Sequence, residues 1–137
     1  MAQTPIIQLS ERVFVAGQIQ PEHMGELAAQ GFKHIICNRP DHEVPGQATM
    51  DDMAEAALSA GIHFTRYPID AGNFPGQDLE ALTALFDSGE RVLAYCRTGT
   101  RCANLWVASR DEAQQPAAID VARGIGFDLA LALMWQG

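Results

Sequence analysis

The sequence has 137 residues, of which 47% are hydrophobic and 19% are charged, and its net charge is −8. We expect one domain over residues 1–137, because this length is enough for a core of its own. The acidic charge argues against a surface for nucleic acid or for an anionic membrane. Three cysteines without disulfide-framework spacing, and no N-terminal signal segment, predict a cytoplasmic protein.

The apolar pattern predicts short strands that alternate with helices. In chain order the predicted elements are strands at 6–9 and 12–16, a helix between Pro21 and a stop at Gly31, a strand at 34–37, a helix between a Thr49 cap and Gly61, a strand at 62–69, a helix at 79–86, a strand at 92–95, and helices at 103–113, 116–124 and 128–134. This alternation implies an α/β fold of three layers, in which helices flank a mostly parallel central sheet. In such sheets a site lies at the carboxyl ends of the strands.

The loop Cys96-Arg97-Thr98-Gly99-Thr100-Arg101 joins the predicted strand 92–95 to a helix. Gly99 permits a sharp turn, and the turn amides and the helix N-terminus together form an anion cradle. The same positive field lowers the pKa of a thiol. We therefore predict Cys96 as the nucleophile and Arg101 as the clamp on the anion. The predicted substrate-binding residues are Arg97, Thr98, Gly99, Thr100 and Arg101.

Two resemblances follow from these residues. The loop resembles the Cys-Arg-x-Gly-x-Arg active-site loop of rhodanese sulfurtransferases. The segments 13–18, 35–41 and 67–72 resemble the phosphatase-like domain of the beta-lactamase-hydrolase-like family, and the similarity extends over nearly the whole chain. That resemblance implies the fold of cysteine-dependent, dual-specificity protein phosphatases.

In some members of that family the domain is fused to a metallo-beta-lactamase-type persulfide dioxygenase. The four histidines here are scattered along the chain, so we expect no metal site and no cofactor. The resemblance then implies a persulfide dioxygenase partner on a separate chain. A free-standing protein and one domain of a longer protein are both consistent with the sequence.

The spacing between the cysteine and the clamp arginine separates two reactions. The phosphatases place five residues between them, whereas four lie between Cys96 and Arg101. The shorter ring suits a terminal persulfide sulfur better than a phosphoryl group, so we predict a sulfurtransferase that passes sulfane sulfur from thiosulfate or a persulfide to a thiol or another nucleophile. The alternative is a phosphatase for phosphotyrosine or a small phosphoester. A non-catalytic anion sensor fits less well, because a pure binder needs no thiolate.

Four other residues are candidates for roles near the carboxyl ends of the predicted strands. Asp70 resembles the general acid of the phosphatases, with an Asx turn as the structural alternative. Arg39 is predicted to bind substrate from a rim loop, and a surface ion pair with Asp41 is the alternative. Cys37 ends a strand expected beside that of Cys96, so it is either a second thiol or a small hydrophobic residue. Cys102 is expected to pack against the sheet, and a resolving thiol is the alternative.

Overall fold

Five strands form one sheet with helices on both faces. The structure is a computed structural model, and it describes residues 5–135. The strands are β1 (Ile6–Gln8), β2 (Val13–Ala16), β3 (Phe32–Cys37), β4 (His63–Arg66) and β5 (Arg91–Tyr95). The helices are α1 (Met24–Ala29), α2 (Met50–Ser59), α3 (Leu79–Phe86), α4 (Thr100–Ser109), α5 (Gln115–Ile125) and α6 (Ala130–Met134), and a 3₁₀ turn at Pro21–His23 precedes α1.

The sheet has the strand order β1-β2-β5-β3-β4. Strands β1 and β2 form an antiparallel hairpin, and the other three pairings are parallel. Strand β5 therefore lies at the centre, between β2 and β3, and its carboxyl end points to the same edge as theirs. The predicted α/β fold with a mostly parallel sheet is confirmed.

Alternate residues of β5 pack into two separate apolar clusters. Leu93 and Tyr95 face the cluster that includes α1 and α2. Val92, Ala94 and then Cys96 face the opposite cluster, which includes α3, α4, α5 and α6. This alternation of side chains across a strand produces the predicted three layers. It also places Cys96 on the face of the sheet that α4 covers.

Two predicted elements end three or four residues earlier in the structure. The strand predicted at 62–69 ends at Arg66, because Pro68 has no N–H to continue the ladder. Backbone bonds from Tyr67 and Ile69 still hold the following segment against the end of β3. The helix predicted at 103–113 ends at Ser109, whose hydroxyl donates to the carbonyl of Trp106 at 2.6 Å.

The core face of α2 is narrower than the sequence pattern predicts. The apolar spacing predicts that Met53, Ala57 and Leu58 face the core. Met53 and Ala57 are fully buried. Leu58 is 79% exposed, so its predicted burial is wrong. Its position next to Ala57 turns its side chain about 100° away from the buried stripe of the helix.

Residues 5–135 contain neither a membrane-spanning helix nor a metal-binding cluster. None of the helices there is long and apolar enough to cross a membrane. In the same part of the chain, no group of three or more His, Cys, Asp or Glu side chains is arranged to hold a metal ion.

Candidate active site

The loop after β5 turns tightly around the sulfur of Cys96. The Cys96 amide donates to the Ala16 carbonyl at 3.2 Å, which extends the parallel pairing with β2 by one residue. Gly99 then adopts a φ of +88°, in the left-handed region, and is the N-cap of α4. This turn directs the Gly99 amide at the Cys96 sulfur, 3.1 Å away. The predicted cradle of amides at the helix N-terminus is present.

The hydroxyl groups of the loop bond to each other. The Thr98 hydroxyl donates to the Thr100 hydroxyl at 3.0 Å, and the Thr100 amide donates back to the Thr98 oxygen at 3.4 Å. These bonds fix the conformation of the turn between Arg97 and Arg101. The predicted roles of both threonines in substrate binding stay predictions.

The surroundings of Cys96 favour its thiolate. Its pKa is lowered from 9.0 to about 5. The largest cause is a hydrogen bond from the Cys102 thiol, and the backbone N–H groups of Cys102, Thr98 and Arg101 add to it, while burial opposes the shift. Cys96 is therefore ionised at neutral pH although its side chain is fully buried.

Cys102 is the thiol partner of Cys96. It lies in the first turn of α4, directly after Arg101, and packs in the same apolar cluster as Cys96. Burial raises the pKa of Cys102 well above the ordinary value, so this thiol stays protonated. Its S–H group donates a hydrogen bond to the neighbouring thiolate. The expectation that Cys102 packs in the core is met. Its role as a resolving thiol stays a prediction, and its hydrogen bond to the Cys96 thiolate was missed. The sequence indicated this hydrogen bond only through the position of Cys102, one residue after Arg101.

Arg101 binds the Glu43 carboxylate and the segment that follows β4. Its guanidinium donates to both carboxylate oxygens of Glu43, at 2.7 and 2.8 Å, and to the Ile69 carbonyl at 2.9 Å. It also contacts the Cys96 sulfur, and this contact, together with Glu43, raises the pKa of Arg101. The Arg101 fork binds Glu43 in a bidentate manner, and its predicted role as the clamp on a substrate anion stays a prediction.

Arg39 also binds the Glu43 carboxylate. Only 4% of Arg39 is exposed, and it donates to Glu43 at 2.9 Å and to the side-chain oxygen of Gln18 at 2.9 Å. The alternative expectation of a surface ion pair with Asp41 is wrong, because Asp41 instead accepts from the amide of Met50 at the start of α2. Direct contact of Arg39 with substrate stays a prediction.

Glu43 thus joins two arginines and was not singled out from the sequence. Hydrogen bonds from Arg101, and then from Arg39, outweigh partial burial and lower the pKa of Glu43 from 4.5 to about 2. The sequence signal was modest: an acidic residue on the rim loop, four residues after Arg39. Its contact with Arg101 spans 58 residues of chain.

Asp70 lies in the Asx turn that was the structural alternative. Its Oδ1 accepts from the amides of Gly72 and Asn73, at 2.8 and 3.0 Å, and its own amide donates to the Asn73 side chain. Asp70 directly follows Ile69, whose carbonyl binds Arg101. Within residues 5–135, both hydrogen bonds to the Asp70 carboxylate go to Oδ1, and Oδ2 accepts none. A catalytic role for Asp70 stays a prediction.

Cys37 lies at the end of β3, which neighbours β5 as expected, and is paired in register with Tyr95. Its thiol donates to the Arg39 carbonyl at 3.3 Å, and burial raises its pKa. Cys37 packs in the cluster of α1 and α2, whereas Cys96 packs in the opposite one. Its use as a second thiol stays a prediction, and Cys102 has the closer relation to Cys96.

Residues 6–113 match the phosphatase-like domain of beta-lactamase hydrolase-like proteins. The chain belongs to this family. It is 34% identical over 133 residues to a beta-lactamase hydrolase-like protein of Agrobacterium fabrum, a match that covers 94% of this chain and 31% of that protein. The chain therefore spans about a third of the length of this relative.

Solved structures show the same architecture. A candidate phosphatase of Neisseria meningitidis is 32% identical, with a TM-score of 0.73 and 90% of each chain covered. Kinase associated phosphatase, solved with its catalytic-site cysteine changed to serine, has a TM-score of 0.68 at 16% identity and covers 97% of this chain and 87% of its own. At that identity the likeness shows the fold alone.

These comparisons confirm the family resemblance and the phosphatase-like fold that the sequence predicted. They connect the chain to cysteine-dependent phosphatases, and none of the relatives described above is a sulfurtransferase by its name. The family membership therefore supports the phosphatase alternative better than the sulfur-transfer prediction, which had relied on the short spacing from Cys96 to Arg101.

The ionisation of Cys96 is testable by its thiolate absorbance in the ultraviolet. Titration of the wild type minus Cys96→Ser is expected to give a midpoint near 5, the pKa of this thiol. Cys102→Ala removes the largest cause of the shift, so its midpoint rises, whereas the matched control Cys37→Ala leaves it in place. A wild-type midpoint near the ordinary thiol pKa of 9.0 contradicts the assigned contacts.

The Glu43 ion pair is testable by acid unfolding. Because the folded-state pKa of Glu43 is about 2 and the ordinary value is 4.5, the pair stabilises the fold above about pH 4.5 and loses this contribution as the pH falls towards 2. The difference in unfolding free energy between wild type and Glu43→Gln should shrink over that window. Glu112→Gln, at an exposed position, is the control. Equal stability of Glu43→Gln and wild type at neutral pH argues against the pair.

Proposed function

We propose that this domain is a cysteine-dependent phosphatase that cleaves a phosphomonoester through a phosphocysteine on Cys96. The observation that carries the proposal is the 2.9 Å bond from Arg101 to the Ile69 carbonyl. It joins the thiolate loop to the segment that bears Asp70. The thiolate of Cys96, the guanidinium of Arg101 and the carboxyl group of Asp70 are then on segments that follow strands at one edge of the sheet, and phosphoester cleavage uses all three groups. Sulfur transfer has no use for the carboxyl group.

In the first step the Cys96 thiolate attacks phosphorus. The S–P bond forms while the ester P–O bond breaks, and its electron pair passes to the leaving oxygen. The protonated Asp70 carboxyl group gives that oxygen a proton through Oδ2, so the product leaves as an alcohol or phenol. Arg101 and the loop amides stabilise the charge on the phosphoryl oxygens.

In the second step water hydrolyses the phosphocysteine. The Asp70 carboxylate takes a proton from the water, the new P–O bond forms, and the S–P bond breaks to release phosphate and the thiolate. The hydrogen bonds that lower the pKa of Cys96 to about 5 also make this thiolate a good leaving group. Asp70 is then protonated again and ready for another turnover.

Binding requires a local change at two points. Cys96 has no exposed surface, so the loop or its rim must move before the sulfur can reach phosphorus. Arg101 also holds Glu43 in the structure. A phosphate dianion carries more charge than a carboxylate and competes with Glu43 for part of the Arg101 fork. Glu43 then remains bound to Arg39.

A second candidate, sulfur transfer, is favoured by the four-residue spacing from Cys96 to Arg101. The tight turn at Gly99, with its amide 3.1 Å from the sulfur, leaves a small ring that suits a persulfide. A separate persulfide dioxygenase partner belongs with this candidate. Incubation with thiosulfate followed by intact-mass measurement tests it, because a persulfide adds about 32 Da at Cys96. An unchanged mass with thiosulfate and with a low-molecular-weight persulfide excludes it.

The phosphatase proposal predicts how two aryl phosphates respond to substitutions. Cys96→Ser should abolish turnover of p-nitrophenyl phosphate and phenyl phosphate. Asp70→Asn should lower kcat for phenyl phosphate by about a hundredfold, the lower end of general acid catalysis. The loss should be smaller for p-nitrophenyl phosphate, because its better leaving group needs less protonation.

The matched control for that experiment is Asp120→Asn, an exposed carboxylate on α5. It should leave both rates at the wild-type level. An equal, small effect of Asp70→Asn and Asp120→Asn on phenyl phosphate would remove Asp70 from the mechanism. Absence of wild-type turnover with either ester would reject the phosphatase proposal itself.

A further inference from the structure

A cavity beside the nucleophile loop has the features of a second anion site. Its volume is about 380 Å³, which lies within the usual range for small-molecule pockets. The residues that line it are Pro5, Ile7, Gly17, Gln18, Arg97 and Thr98. We propose that this cavity binds the leaving group of the substrate, and that Arg97 there binds a second negative charge, a carboxylate or a phosphate. This inference rests on the proposed phosphatase function.

Arg97 is the cation that the active-site network leaves unpaired. It is exposed and directly follows Cys96, and among the described residues no hydrogen bond or ion pair engages its guanidinium. Arg39 and Arg101, by contrast, are both held by Glu43. An unpaired guanidinium next to a nucleophile, in a protein with net charge −8, is positioned for an external anion.

The other described residues that line the cavity around Arg97 are uncharged. None of the lining residues in the described part of the chain carries a carboxylate, so no acidic side chain among them competes for the guanidinium. Pro5 and Ile7 supply apolar surface for the body of an organic leaving group. Such a mixture of apolar walls and one charged group is typical of sites that recognise small anionic molecules.

The polar wall of the cavity is held in place by the active-site network. The Gln18 side-chain oxygen accepts from Arg39 at 2.9 Å, and its amide nitrogen donates to the Ile19 carbonyl at 2.7 Å. Arg39 in turn binds Glu43, which binds Arg101. The cavity and the anion cradle therefore share one set of rigid contacts, and a ligand that spans both meets a prearranged surface.

The geometry sets the size of the preferred substrate. The α-carbons of Cys96 and Arg97 are about 3.8 Å apart, as in any trans peptide, so the residue that binds the second charge directly follows the nucleophile. The proposed second anionic group therefore lies on the leaving group, close to the ester oxygen. The substrate class is a compact organic phosphomonoester with a second carboxylate or phosphate, such as a ring that carries both.

Three aryl phosphates test the inference: phenyl phosphate, meta-carboxyphenyl phosphate and resorcinol bisphosphate. The wild type should show kcat/KM about tenfold higher for the two doubly anionic esters, the size of one charge-assisted hydrogen bond. In Arg97→Gln this ratio should fall to near one, through KM rather than kcat. The gain should also shrink with added salt.

Arg123→Gln is the control, since Arg123 is an exposed arginine on α5 far along the chain from the loop. It should keep the wild-type ratio. Preference for one of the two doubly anionic esters identifies the second group as carboxylate or phosphate. Equal kcat/KM for all three esters in the wild type overturns the second anion site while the phosphatase function stands.

A binding measurement separates this result from a failure of the phosphatase function. Calorimetry of the three esters with Cys96→Ser, with and without Arg97→Gln, reports the second site without turnover. Tighter binding of the doubly anionic esters that depends on Arg97 supports the site even if hydrolysis is absent. Binding that ignores both the second charge and Arg97 rejects it.

Discussion

The Glu43 carboxylate is the contact on which the arrangement of the site depends. It binds Arg101 from the loop after β5 and Arg39 from the loop after β3. Arg39 extends the network to Gln18 after β2, and Arg101 extends it to Ile69 after β4. One carboxylate thus ties together the segments that leave four neighbouring strands. Parallel strands bring these segments to one edge, and the ion pairs fix them there.

The same network sets the balance of charge around Cys96. Amide dipoles and the Cys102 thiol stabilise the thiolate, and Arg101 touches it while bound to Glu43. Glu43 neutralises much of the charge of the two arginines, so a thiolate and a carboxylate lie beside Arg39 and Arg101. Under the proposed function, an incoming phosphate group exchanges with this carboxylate for part of the Arg101 fork. This exchange favours dianionic ligands over monoanionic ones.

Local features of the sequence were enough to predict the fold and the nucleophile loop. The period-2 and helical patterns gave the strands and most helices, and Gly99 between Cys96 and Arg101 indicated the turn. Glu43 and Cys102 were missed because their roles depend on contacts that no local pattern records. Glu43 meets Arg101 across 58 residues, and the thiol of Cys102 meets Cys96 only once the helix begins at Thr100. The four-residue spacing between Cys96 and Arg101 favoured sulfur transfer, whereas the family membership and the position of Asp70 support phosphoester cleavage.

The most direct test of the central claim is a search for the covalent intermediate on Cys96. Asp70→Asn should slow hydrolysis of the intermediate, so brief reaction with p-nitrophenyl phosphate and acid quenching should add about 80 Da, one phosphoryl group, to the chain. Peptide mapping should locate that mass on Cys96, and Cys96→Ser should not acquire it. An unmodified chain under turnover conditions, or a phosphoryl group on another residue, would contradict the account.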